Sequence, residues 1–313
     1  MKVDVYTWGT GGAFGRELGI IPDGRKRRDH SAVSFIGTDN GQKVFHFMVD
    51  AGAPCVEKMV DHRIAACPEL LFMTHTHSDH ISDFDKLVNS RKRGLHISKG
   101  LSSPLYVISS PLCADDPVFG LRTKFGYLGD SVKFLTVPCF DVWYSVQLKG
   151  GGIVPSNLSE DNIVYPFEFK LLPVFHASHA PGACMYIFRL KDSRKRIIVS
   201  GDFETLEDEV LENADLKDPD ILLIETNTIE AAGAGHTNWR QNMKLLGKWL
   251  SADSKSRVLL THLSGFEDWV QQYYTHVPTD EDWLEAIGQF QSPNGVRIEI
   301  AEDEMHYSLT EEE

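Results

Sequence analysis

Short apolar, β-branched runs recur along the chain. VDVYTW, SAVSFIG, KVFHFMVD, LLFMTH, LYVIS, FEFKLLPVF, MYIFRL, RIIVSGD, ILLIET and RVLLTH each read as a strand. CVEKMVDHRIAA, SDHISDFDKLVNSRKR, TNWRQNMKLLGKWLS and DEDWLEAIGQF carry helical spacing between them. Hairpin-like strand series stand beside strand–helix alternation, which predicts a mixed α/β (α+β) fold. The chain reads as one domain over 1–313, with an insertion-like region around 100–165. There PLCADDPVFGLRTKFGYLGD and LKGGGIVPSNLSED follow neither period, as in a lid, a dimer contact or a surface excursion.

The polar residues that follow these apolar runs are unusual in kind. HTHSDH at 75–80 closes one strand, and His75 and His77, two apart, share a face of an extended chain. Asp79 and His80 follow a turn, and Ser78 is placed to cap the next helix. Neutral imidazole and carboxylate oxygen are ligands for zinc, manganese or iron. His176 and His179 in HASHAPGACMYIF, Asp202 in RIIVSGDF and His262 in RVLLTHLS each border another strand. Taken singly, each reads as a cap or a core histidine; together with HTHSDH they read as a metal site. GTGGAFG at 9–15 is a poor dinucleotide fingerprint and reads as a glycine-rich turn with close backbone contacts.

These motifs resemble the metallo-β-lactamase superfamily, and DAG at 50–52 looks like that family's early aspartate motif. The resemblance implies a four-layer αββα sandwich of two mixed sheets flanked by helices. It also implies two divalent metal ions, zinc foremost, with manganese or iron as alternatives. One metal would take His75, His77 and His179, the second Asp79, His80 and His262, and Asp202 would bridge. His179 is preferred to His176 from its distance to the MYIF strand. Within the superfamily the likeness is to the phosphodiesterase branch, through WGTGGAFG, SGD, GHTNW and THLS. That branch includes ribonuclease Z and the cyclic-phosphate phosphodiesterases. His236 takes the place of the histidine in the ribonuclease Z HST motif, and Glu225 that of the glutamate in its HEAT motif, though IETN has lost the HEAT histidine.

Composition narrows the substrate. The formal net charge is −14, with basic runs at 24–30 and 90–94. A nucleic acid held by its phosphates requires a basic face. No glycine-rich basic arm is visible, so a small anionic phosphodiester fits better than tRNA. The five cysteines include no CxxC pair, which suits reduced thiols in the cytoplasm. No run is long and apolar enough for a membrane helix. A homodimer is one use of the 100–165 region.

The expected activity is hydrolysis of a small cyclic nucleotide or cyclic sugar phosphate, with a metal-bridging hydroxide attacking phosphorus in line. Asp79 would orient or deprotonate that nucleophile. His236, tuned by Glu225, would protonate the leaving oxygen. Arg28 is a candidate phosphate contact. The competing functions are a ribonuclease Z-like tRNA 3′ endonuclease, a hydrolase of a lactone, thioester or sulfate ester, and a non-enzymatic scaffold.

Overall fold

The structure is a computed structural model that describes residues 1–12, 28–65, 67–97, 104–147, 152–158, 164–230, 235–263, 278–293 and 295–310. The basic residues at 24–27, His276 and the acidic tail at 311–313 lie outside the described residues.

The strands are β1 (Lys2–Gly9), β2 (Ala32–Asp39), β3 (Gln42–Val49), β4 (Leu70–Phe72), β5 (Leu105–Ser109), β6 (Val132–Thr136), β7 (Tyr144–Gln147) and β8 (Ile153–Pro155). They continue with β9 (Val164–Pro173), β10 (Cys184–Leu190), β11 (Arg196–Val199), β12 (Ile221–Glu225), β13 (Arg257–Thr261), β14 (Arg297–Ile300) and β15 (Met305–Leu309). The helices are α1 (Cys55–Asp61), α2 (Ser78–Ile81), α3 (Phe84–Ile97), α4 (Pro111–Asp115), α5 (Leu121–Phe125), α6 (Asp208–Leu211), α7 (Trp239–Trp249) and α8 (Asp280–Gly288). One sheet runs β15-β1-β2-β3-β4-β5-β6 and the other β14-β13-β12-β11-β10-β9-β7-β8. Each is mixed: β3 to β6 are parallel in the first, and β11 to β14 in the second.

Strand alternation sorts side chains into the layers. In β12, Ile221 and Leu223 enter the core between the sheets. Leu222 and Ile224 point the other way, onto Trp239, Leu246 and Trp249 of α7 and Trp283 of α8. β4 divides likewise: Leu70 and Phe72 face the inter-sheet core, whereas Leu71 packs with Met59 of α1 and Phe84 and Leu87 of α3. The result is helix, sheet, sheet, helix. Phe72 anchors the centre, with ring edges against Phe47, Phe169 and Phe188 at 4.9–5.3 Å. Burying one such phenyl ring contributes about 2–3 kcal/mol.

The region around 100–165, insertion-like in sequence, contributes strands to both sheets. β5 and β6 extend one sheet and β7 and β8 the other, so its described strands belong to the sandwich itself. α4, α5 and the turn after them lie between β5 and β6 in sequence, and Cys113 and Leu121 pack them against α3 and β4. LYVIS was readable as a strand, whereas VKFLT and YSVQ are short and lie close to proline and glycine, so no strand period stands out.

Candidate metal centre

Parallel strands deliver their C-terminal ends to one side, and that is where ligands collect in such sheets. His75 follows β4, Asp202 follows β11, Glu225 ends β12 and His262 follows β13. His77 caps α2 through its backbone, and Asp79 and His80 lie within that helix. Ser78 is therefore the first helical residue rather than the cap. His262 has φ of 57°, a left-handed backbone held by the bond from Leu263 N to Thr10 O. Gly12 is required beside it: a Cβ there would lie 2.7 Å from the His262 Cε1.

Asp202 Oδ2 is the hub. It lies 3.0 Å from His262 Nε2, 3.3 Å from His80 Nε2, 3.7 Å from His75 Nε2 and 3.8 Å from His176 Nε2. Asp79 Oδ2 is 3.1 Å from His262 Nε2 and 3.6 Å from His80 Nε2. Donor atoms close into three overlapping groups: His75, His77, His176 and Asp202; Asp79, His80, Asp202 and His262; and Asp202, Glu225, His236 and His262.

The expected ligand His179 is replaced in this cluster by His176. His176 is buried and its Nε2 lies 2.9 Å from His77 Nδ1, whereas exposed His179 stacks on the outer face of the His77 ring. The cause is local: His176 comes soon after β9 and its Nδ1 is held by the Gly235 carbonyl, while His179 falls in the next turn.

Neighbours set which ring nitrogen faces inward. Asp50 Oδ2 binds His80 Nδ1 at 2.7 Å and accepts the Thr74 hydroxyl at 2.8 Å. With its proton given to Asp50, Thr74 Oγ1 accepts from His75 Nδ1 at 3.0 Å. Both histidines thus turn Nε2 to the cluster. Asp50 was visible in the sequence as DAG, but its hold on Thr74 was not, since nothing in the pattern marks a threonine as an orienting group.

The donor set fits divalent metal. His75 Nε2, His77 Nε2, His80 Nε2 and Asp202 Oδ2 are buried with no hydrogen-bonding partner, a costly arrangement that a cation would satisfy. Tetrahedral ligands at zinc bond lengths stand roughly 3.3 Å apart, comparable with the spacings here. Burial holds His75 neutral, and with the neighbouring histidines it brings His77 to about 3. Burial would lower His80 and His262 too, yet the Asp202 and Asp79 carboxylates push His80 well up and His262 to about 10. Burial would raise Asp202, but His262 and His80 hold it far below the carboxylate range. A field that draws protons there also draws cations.

His236 Nδ1 binds Glu225 Oε1, and Glu225 Oε2 accepts the Phe203 N–H at 2.5 Å. Burial lowers His236, but Glu225 more than offsets it and the imidazole is raised. The ring keeps 23% of its surface exposed and lies 3.8 Å from Asp202, so the expected pair stands beside the cluster. The buried guanidinium of Arg28 faces Asp280 at 3.6 Å, at the start of α8.

Among the described residues, no helix is long and apolar enough to cross a membrane. No curated protein matches the chain in sequence. Among solved structures, YhfI, a metallo-beta-lactamase fold protein from Bacillus subtilis, is 19% identical over 98% of this chain and 99% of its own, with TM-score 0.64. A diphosphatase of the PhnP family is 17% identical over 97% of both chains, TM-score 0.66. The short form of human tRNase Z is 20% identical over 97% and 98%, TM-score 0.59. These likenesses establish the fold. The family model for the beta-lactamase superfamily domain matches residues 48–263, more than half of the chain. With its αββα sandwich and its histidine–aspartate cluster at the strand ends, the chain belongs to the beta-lactamase superfamily, on the metallo-β-lactamase fold.

Proposed function

We propose that the protein is a dinuclear metal-dependent phosphodiesterase, acting on a small cyclic nucleotide or cyclic sugar phosphate. The observation that carries this reading is Asp202 Oδ2, shared by two histidine–aspartate groups with the His236–Glu225 pair alongside. His75, His77 and His176 would hold one ion, Asp79, His80 and His262 the other, and Asp202 both. Zinc suits these donors, as do manganese and iron. Bound ions of this kind supply Lewis acidity to a phosphoryl oxygen and acidify water.

The chain's own groups supply the rest. Asp79 orients the attacking water and receives its proton. Glu225 holds the proton on His236 Nδ1 and stabilises the imidazolium, so Nε2 is the atom that passes a proton to the leaving oxygen. Asp50 and Thr74 keep the histidines facing inward.

The structural likeness to a PhnP-family diphosphatase and to tRNase Z supports a phosphoester substrate. The second likeness keeps a tRNA 3′ endonuclease as a second reading, against which the net charge of −14 stands. Elemental analysis followed by a substrate panel tests both. The expected result is two metal equivalents and turnover of bis(p-nitrophenyl) phosphate and a cyclic phosphate, both lost in Asp202→Ala. Cleavage of precursor tRNA alone would favour the second reading. Turnover of only lactones or thioesters would overturn the phosphoester chemistry.

A further inference from the structure

A row of rings leads outward from the cluster. His77 is only partly buried, His179 stacks on it with centroids 4.6 Å apart and planes 27° apart, and Phe119 meets His179 at 6.5 Å. Leu112 and Val118, beside this row in sequence and space, are 58% and 65% exposed. Ser110 donates to the Gly182 carbonyl at 2.6 Å, tying the start of α4 to the turn that carries His179. A Cβ at Gly182 would lie 2.8 Å from Leu112 Cβ, which places Leu112 against the same turn.

The wall is fixed before anything binds. Asp116 Oδ1 accepts the backbone N–H groups of Val118 at 2.9 Å and Phe119 at 2.8 Å. Lys124 of α5 donates to the Thr76 carbonyl at 2.7 Å, joining the segment to the loop between His75 and His77. That bond turns one N–H of the ammonium toward the loop, and the exposed side chains next to Phe119 and His179 on this face include the aliphatic Leu112 and Val118. A sugar's hydroxyls would lose water against the aliphatic carbon of Leu112 and Val118. A flat heteroaromatic ring loses little water from its faces and stacks on imidazole and phenyl groups.

We propose that His179 and Phe119 form the recognition wall for a nucleobase, and that the substrate is a nucleotide ester rather than a sugar cyclic phosphate. The inference rests on the phosphoester reading above. It assigns His179 a part in binding the organic group, outside the metal cluster, and gives α4 and α5 a role in specificity.

Calorimetric titration of the zinc-loaded full chain with AMP and with ribose 5-phosphate tests it, since the two ligands share a phosphorylated ribose and differ in the base. AMP should bind about tenfold tighter. Phe119→Ala and His179→Ala should each bring the ratio toward one, while Phe119→Trp, which keeps a ring, retains it. A wild-type ratio near one, no binding of AMP, a preference that survives in both alanine variants, or one lost equally in Phe119→Trp would overturn the proposal. Turnover of bis(p-nitrophenyl) phosphate, measured separately, decides the phosphoester reading whatever the AMP result.

Discussion

At the scale of single residues, orientation by neighbours decides which histidines can serve as ligands. His176 is turned inward by the Gly235 carbonyl, and His80 by Asp50. His176→Ala should lose one of two metal equivalents by elemental analysis, whereas His179→Ala should retain both. Retention by His176→Ala would reverse this assignment. Asp50→Asn leaves every proposed ligand in place, yet should weaken metal binding about 10–100-fold in a chelator competition. A different histidine governs acid stability. His46 is fully buried, with its Nε2 3.0 Å from the Ser34 hydroxyl, and is lowered from 6.5 to about 3 by desolvation and then by Lys43. The unfolded chain therefore takes up a proton that the folded chain refuses between those values. This contribution is intact above pH 6.5 and is lost as pH falls toward 3, at about 1.4 kcal/mol per unit. Urea unfolding at pH 7.5 and 5 should show a loss in wild type that is smaller by about 2 kcal/mol in His46→Gln. Equal losses would exclude the effect.

At the scale of elements, HTHSDH, Asp202 and His262 were legible because each breaks an apolar run with a group that has no reason to end a strand. His176 and His179 lie three apart in one polar turn, and only the close of β9 and the Gly235 carbonyl separate their fates. Of the missed strands, β14 (RIEI) and β15 (MHYSL) alternate polar with apolar residues and sit at sheet edges, so their pattern is diluted. The helix TNWRQNMKLLGKWLS was readable from its period and begins at a capping box, Asn238 with Gln241. That box also fixes the chain two residues after His236. Asn238→Ala should cost about 1 kcal/mol by denaturant unfolding. No measurable cost would mean that packing of Trp239 and Trp249 alone sets the helix start.

Across the whole molecule, the chain ends are drawn together around Lys58. Its ammonium reaches the Trp8 carbonyl at 2.6 Å, Asp29 at 2.8 Å and Asp303 at 2.9 Å. Asp303 also accepts the Thr10 N–H and hydroxyl, beside the glycine turn that meets His262. Lys58→Met removes the buried ammonium that Asp29 and Asp303 share and should destabilise the fold by about 3–5 kcal/mol in chemical denaturation. A loss below about 1 kcal/mol would class the trio as a surface pair. None of this was visible in the sequence, where the partners lie far apart.

The position of Asp202 bears on stability as well as chemistry. Its hub joins His75, His77 and His80, carried on the β4 side of one sheet, to His262 and Asp202 itself, carried by the other. Any ion held there staples the two halves of the sandwich at their open mouth, and global unfolding must release it. The melting temperature then becomes a titration curve: free metal at a thousand times its dissociation constant adds about 4 kcal/mol per site, and a chelator removes it. The protein would thus report the metal supply of its surroundings through its own lifetime.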